Sequence, residues 1–429
     1  MRNLIILFLL LSSRVIADPY YTVQESGTSS TLKSITFINE NTGFAAGNFS
    51  TLLRTTNGGI NWLDVNLSSS NSSYSCVLFA NSTTGFVVSD DGEIIKTTNA
   101  GLNWQITDMG ADSLKHIYFM NETTGFIGGT GGTLYKTTNT GSSWMDISIN
   151  TNEPITKVAF SDAKYGYLLT RWYLNDGQVF KTTNGGQNWQ VVNNFFNGYT
   201  GQRALFDCVP LNRDTVYVSL GYYQTGIMRT IDGGQSWQYI YNHFQTGFFP
   251  GSFYELFFRD GYIYALNGPT DGVPCYIVKS SDGGFSFTHY SAYRVFGYMY
   301  DMYLFRNSAT GYVCGESGFI VKLHSYVTDI NTISTNVPDK FRLYQNYPNP
   351  FNPVTSIKFK IPNQVRDDNI VSLKIYDVMG KEVAVLINET LSPGEYEAQF
   401  DGSVLSSGIY FYTLTAGSFT ETKRMLLVK

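Results

Sequence analysis

The sequence predicts an all-β protein whose main body is a ring of repeated four-stranded units, and three observations carry that reading. An eight-residue box recurs six times at intervals of 40 to 50 residues: Thr55–Trp62, Thr97–Trp104, Thr137–Trp144, Thr182–Trp189, Thr230–Trp237 and Ser280–Phe287. A second motif keeps step with it, an apolar strand followed by a polar turn and a Gly-aromatic pair. It runs from Ile35-Thr36-Phe37 with Gly43-Phe44 to Tyr303-Leu304-Phe305 with Gly311-Tyr312, seven times in all. The chain is also 16% aromatic, only 15% charged and holds 41 glycines, which suits many short strands and tight turns. Units of this period cannot bury their apolar faces alone. Four-stranded sheets repeated radially make a β-propeller.

The elements follow in order. Arg2, the apolar run Leu4–Leu11 and the small-residue site Val15-Ile16-Ala17 have the form of a signal peptide over 1–17, cleaved after Ala17. That run is too short to span a bilayer, and no other stretch reads as a transmembrane segment. Each repeat then reads as strand A, the Gly-aromatic strand B, a strand C ending in Lys or Arg, and a strand D starting at the box aromatic. The seventh repeat has A, B and C (Phe319–Leu323) but no D, while Tyr20–Glu25 precedes the first A strand without a partner. Lending that segment to the seventh unit would close the ring and remove two exposed edges. The expectation is a seven-bladed propeller over 18–326, latched by its N-terminal strand.

Within the boxes, Asn57, Asn99, Asn139, Asn184, Asp232 and Asp282 can bond the backbone of their own turn, Gly supplies positive φ, and Trp62, Trp104, Trp144, Trp189, Trp237 and Phe287 anchor the hairpin. The role expected of all twelve is structural. The box has the form (S/T)-x-(D/N)-x-G-x-(S/T/N)-(W/F). It resembles the Asp-box (BNR repeat) of sialidase-type and sortilin-type propellers. The whole pattern is most similar to the photosystem II stability and assembly factor-like propellers, over about residues 20–326.

A net charge of −5 and a pI near 5.5 argue against a nucleic-acid partner. The four histidines are scattered and the spacing of Cys76, Cys208, Cys275 and Cys314 matches no metal site, so no metal and no cofactor are expected. Cys76 and Cys208 fall in A strands and read as buried free thiols, whereas Cys275 and Cys314 lie in neighbouring blades and could pair. The propeller is expected to be a monomer.

After Leu323 the repeat stops. A polar linker is expected over 327–340, then Phe341-Arg342-Leu343-Tyr344-Gln345-Asn346-Tyr347-Pro348-Asn349-Pro350-Phe351 opens a segment of alternating strands that ends at Lys429. Read from its residues, 341–429 is a small antiparallel β-sandwich of about seven strands. Its ordered motifs resemble the type A C-terminal sorting domain of the type IX secretion system. The resemblance implies that the Sec signal delivers the chain to the periplasm and that this domain addresses it across the outer membrane, with the type IX machinery as partner. It also implies a protein left secreted or attached to the cell surface, and a bacterium of the Bacteroidetes/Ignavibacteria type.

Function is sought where the blades differ. The repeated motifs occupy the A–B and C–D turns; the B–C and D–A loops share the opposite face and lengthen in blades four to six. There Arg171, Trp172, Tyr199, Arg203, Tyr222, Tyr223, Arg294 and Tyr298 are candidate ligand contacts, because aromatics beside arginines serve glycan and peptide sites. The sequence therefore points to a non-catalytic binding propeller with a protein or glycan ligand. A glycoside hydrolase or sialidase-like enzyme is the alternative, and a chaperone-like assembly propeller a third. Against the enzyme, the neighbours Tyr254 and Glu255 should point to opposite faces of their strand.

Overall fold

The computed structural model describes residues 21–67, 72–110, 113–171, 177–192, 203–222, 226–242, 252–259, 262–268, 275–280, 283–284, 287–292, 297–305, 310–324, 331–334, 337–362, 371–389, 391, 393–402 and 405–429. The chain divides into a compact unit Val23–Leu323 and a second unit that holds His324–Lys429.

The first unit is the seven-bladed propeller. Seven four-stranded antiparallel sheets follow one another, and the seventh takes its fourth strand from Tyr21–Gln24, which pairs beside Ile320–His324. The A strands are Leu32–Phe37, Tyr74–Phe79, Leu114–Phe119, Ile155–Phe160, Arg203–Pro210, Phe253–Arg259 and Met299–Leu304. Each packs on the A strand of the next blade, the seventh on the first, so they form the inner wall. Burial falls outward from there. The B strands Gly43–Gly47, Gly85–Ser89, Gly125–Gly129 and Gly166–Thr170 are buried throughout, whereas the D strands Leu63–Asp64, Gln105–Asp108 and Met145–Asp146 are exposed.

Both sequence motifs turn out to be joints between blades. The B-strand aromatic of one blade lies against the A-strand aromatic and the box Trp of the next. Phe86 stacks on Phe119 at 4.9 Å and meets Trp144 edge-on at 6.1 Å; Phe44 does the same with Phe79 and Trp104. The basic residue closing the C strand of blades two to five and of blade seven reaches to a carbonyl of the next box. Lys96 Nζ donates to Thr140 O at 2.7 Å and Lys136 Nζ to Gly185 O at 2.7 Å. The joint recurs at the closure, where Tyr312 OH and Lys322 Nζ both donate to Gly58 O of blade one. Inside the box, Thr55 Oγ1 accepts from Gly59 N at 2.9 Å and Asn57 Oδ1 from Asn61 N at 3.0 Å. Gly101 is glycine for two reasons: its φ is +77°, and a Cβ there would collide with the Phe44 ring. Trp62 is buried, but Trp104, Trp144, Trp189 and Trp237 are half-buried, capping the joints rather than filling them.

All four cysteines are free. Cys275 and Cys314 do not pair; their thiols donate instead to Gly297 O and Leu32 O.

The second unit is the sandwich. One sheet runs Asn331–Ser334, Gly394–Asp401, Val354–Ile361, Arg342–Leu343; the other runs Glu382–Glu389, Val371–Tyr376, Gly408–Ala416, Phe419–Leu427. Leu343, Phe351, Ile357, Phe359, Leu373, Tyr412, Met425 and Leu427 lie in its core. The linker expected over 327–340 is corrected here. Asn331–Ser334, with β-branched Thr332 and Ile333, is an edge strand paired to Gly394–Asp401, which brings the described strands to eight. Residues 1–20, with the expected signal peptide and Ala17, lie outside the described residues. No described helix is long and apolar enough to cross a membrane.

Candidate functional site: the channel mouth

Every A strand carries a β-bulge at the same level. The register against strand B slips between Leu32 and Ser34, Tyr74 and Cys76, Leu114 and His116, Ile155 and Lys157, Leu205 and Cys208, Phe253 and Glu255, and Met299 and Asp301. A bulge sets two residues opposite one and breaks the strict alternation of faces. Two successive side chains per blade therefore turn toward the axis, and all of them except the buried Asp207 line, in two tiers, a cavity of about 1070 Å³ at the end of the B–C and D–A loops.

The inner tier is a ring of one residue per blade: Ser34, Cys76, His116, Lys157, Asp207, Glu255 and Asp301. Its members also cap the next blade. Asp301 Oδ2 accepts from Ile35 N at 2.8 Å, Ser34 Oγ from Val77 N at 3.2 Å and Asp207 Oδ2 from Leu256 N at 2.7 Å. Lys157 Nζ lies 2.8 Å from Asp207 Oδ1 and 3.0 Å from Glu255 Oε1. Burial alone would discharge this lysine, but the two carboxylates outweigh it and hold its pKa well above the usual value. Burial, then the neighbouring Asp207 charge, push Glu255 well up; burial also raises Asp301. His116, pushed down to about 3 by burial and by Lys157, is neutral, and Cys76, up to about 11 by burial, is a thiol. Their 3.9 Å contact is thus thiol to imidazole, not a thiolate–imidazolium pair. Among the described residues, no cluster of three or more His, Cys, Asp or Glu could hold a metal ion.

The outer tier is the mouth, and its two sides differ. On blades one to three, Asp90 is a hub: Ser75, Ser113 and Lys115 donate to Oδ1 at 2.6, 3.2 and 2.9 Å, and Lys33 lies 3.5 Å from Oδ2. Burial works against its ionisation, but the Ser75 and Lys115 hydrogen bonds and the Lys33 charge prevail and keep its pKa below the usual range. On blades five to seven the bulges supply aromatics, and Arg171 of blade four joins them. Arg171 stacks over Phe206 at 4.2 Å, Phe206 meets Tyr254 edge-on at 4.8 Å, Tyr254 meets Tyr300 at 5.5 Å, and Tyr298 stacks on Tyr300 at 6.4 Å. Glu316 closes the arc, accepting from Tyr298 N and Tyr300 OH, each at 3.1 Å.

Of the eight candidate contacts, the structure brings Arg171 and Tyr298 together in this cavity. Arg203 and Tyr222 are register partners at the same end of blade five. Trp172, Tyr199, Tyr223 and Arg294 lie outside the described residues. Sequence reasoning missed Lys33, Lys115, Phe206 and Tyr300, and it weighed Tyr254, Asp90 and Glu316 only for an enzyme, not as ligand contacts. The signal was present: the apolar residues flanking each bulge, such as Leu32 and Ile35 or Tyr74 and Val77, are three apart, which period two forbids on one face. The expectation that Tyr254 and Glu255 face apart is likewise corrected, since the bulge turns both into the cavity. Glu255 is bound to Lys157, and Tyr254 lies against Phe206 and Tyr300.

A closed ring of seven blades, six of them box-bearing, followed by a sandwich of eight described strands, defines an Asp-box β-propeller with an appended β-domain. Residues 345–429 match the family described as the secretion system C-terminal sorting domain, and residues 14–111 and 61–194 match the photosynthesis system II assembly factor YCF48 family. No curated protein matches the chain. Similar solved structures include YCF48 bound to a D1 peptide (17% identity, TM-score 0.58, 71% of this chain and 97% of that one). YCF48 from Cyanidioschyzon merolae is similar at 17% identity and TM-score 0.56, over 71% of this chain and 99% of that one. An extracellular domain from B. thetaiotaomicron, assigned to a hybrid two-component system, shares 11% identity at TM-score 0.54, over 95% of this chain and 57% of that one. At these identities the likeness shows a shared fold. The chain is an Asp-box propeller similar to the YCF48-type assembly factors, and it carries a type IX secretion system sorting domain that marks it for export by that system.

Proposed function

We propose that the chain is an exported, non-catalytic binding propeller that seats its ligand in the channel mouth. A Sec signal ending at Ala17 starts the route and the type IX machinery completes it, leaving the propeller secreted or on the cell surface. The observation that carries the reading is the outer tier: seven equivalent positions of a repeated fold hold Lys, Ser, Lys, Thr, Phe, Tyr and Tyr, so one mouth has a polar, cationic wall and an aromatic one. A scaffold alone requires no such division, whereas a site that orients a ligand does. Among the described residues, the carboxylates that line the cavity are engaged: Asp90 with two serines and two lysines, Glu255 with Lys157, Asp301 with Ile35 N, and Glu316 with Tyr298 and Tyr300. YCF48 has been solved with a peptide, and a protein ligand is a second reading on that ground. The test is a glycan array, a peptide panel and a fluorogenic glycoside panel on the exported chain. Saturable binding without turnover is expected; hydrolysis of any glycoside overturns the reading.

A further inference from the structure

The two walls of the mouth differ in charge as well as in shape. One carboxylate, Asp90, serves two ammonium groups, Lys33 and Lys115, whose side chains are 32% and 33% exposed. An ammonium carries three donors. Lys33 uses two, on Asp90 and on Ser73 Oγ at 2.8 Å, and Lys115 one. This wall therefore keeps positive charge and unspent N–H groups beside the cavity, on a chain whose net charge is −5.

The next blade round from Lys33 is the seventh, whose A strand packs on that of blade one and brings Tyr300 to the equivalent position. Packed sheets lie about 10 Å apart, the span of one sugar ring and its substituents. An extended peptide would be read most simply by adding to a strand edge, through backbone N–H groups. Here the A-strand N–H groups of Ile35, Val77 and Leu256 are already held by Asp301, Ser34 and Asp207. Recognition is left to side chains, and around the lysines these are hydroxyls and an amide, Ser75, Thr156 and Asn48.

We infer that the mouth takes a carboxylated saccharide, its acid group between Lys33 and Lys115 and a ring face on Tyr254 and Tyr300. This rests on the binding function proposed above and adds the ligand class to it. The acid is held by charge and the ring by stacking, so the two contributions separate experimentally.

The test uses the whole exported chain and a panel of uronate and sialate oligosaccharides, each paired with its methyl ester, which keeps the ring and removes the charge. Acids should bind about tenfold more tightly than their esters at low salt, with the gap narrowing as salt is raised. Lys115→Met should bring acid binding down to that of the ester and leave the ester's affinity unchanged. Asp90→Asn should act in the opposite direction and tighten acid binding, since it removes the competing carboxylate. A hub that is only structural would weaken both ligands in both variants. Equal binding of acids and esters, or weakened acid binding in Asp90→Asn, overturns the anion seat. Binding of peptides but of no saccharide overturns the ligand class and leaves the binding function standing. If nothing on any panel binds, the binding function fails as well.

Discussion

Phe86→Ala tests the aromatic joint that holds one blade to the next. Phe86 is fully buried; it stacks on Phe119 at 4.9 Å and 20°, meets Trp144 at 6.1 Å and 85°, and has Lys96 Nζ 5.5 Å above its ring. Truncating a buried Phe costs about 3–5 kcal/mol through lost transfer and the cavity left behind. The cavity here is poorly placed to collapse. Its walls are strands of two sheets and the box glycine Gly141, where a Cβ would collide with the ring. Each aromatic pair lost adds about 0.5–1.5 kcal/mol to area burial. The cost should therefore lie at the top of the range, about 4–5 kcal/mol. Trp144 is only half-buried, so water fills most of the space it leaves, and Trp144→Ala should cost about 2 kcal/mol. Urea unfolding of the two variants, followed by far-ultraviolet circular dichroism, reads both values from the shift in midpoint at unchanged slope. A loss below about 2 kcal/mol for Phe86→Ala, or one no larger than for Trp144→Ala, would refute the joint as the main bond between blades.

Three further outcomes follow from the same structure. A chain starting at Glu25 lacks the strand Tyr21–Gln24 that covers Ile320–His324, so it should unfold in a broadened transition or aggregate; a melt identical to that of the whole propeller would mean the latch closes nothing. His116 has its pKa pushed down to about 3 in the fold against about 6.5 when unfolded, so between those values the unfolded chain binds more protons and stability falls as pH drops below 6.5, by up to about 1.4 kcal/mol per pH unit. His116→Gln should flatten that slope relative to the parent in urea titrations from pH 7 to 4, and parallel slopes would contradict it. Removal of 345–429, the residues matched to the sorting domain, should leave a folded propeller inside the outer membrane of a host with the secretion system; normal surface levels by fractionation would dismiss the address.

The architecture was legible in the sequence because each of its causes is local. Thr55, Asn57 and Gly59 satisfy one another within a single turn, and a motif that builds one hairpin builds it wherever it recurs. The missing seventh D strand and the spare strand at the other end could be counted on the same terms. What lay hidden was the lining of the channel. It depends on bulges that no glycine or proline announces, and one extra residue is enough to turn Tyr254 and Glu255 from opposite faces to the same one. Asp90 meets Lys33 and Lys115 across separations of 57 and 25 residues, and Lys157 meets Glu255 across 98. Those neighbours exist only once the blades have packed side by side. The sequence by itself determined the blades, their number and their order, because hydrogen bonds within a turn and the two-residue period of a strand are short-range. Which side chains share the mouth was decided by the tertiary structure, because curvature sums seven small rotations and brings together residues that no local rule connects.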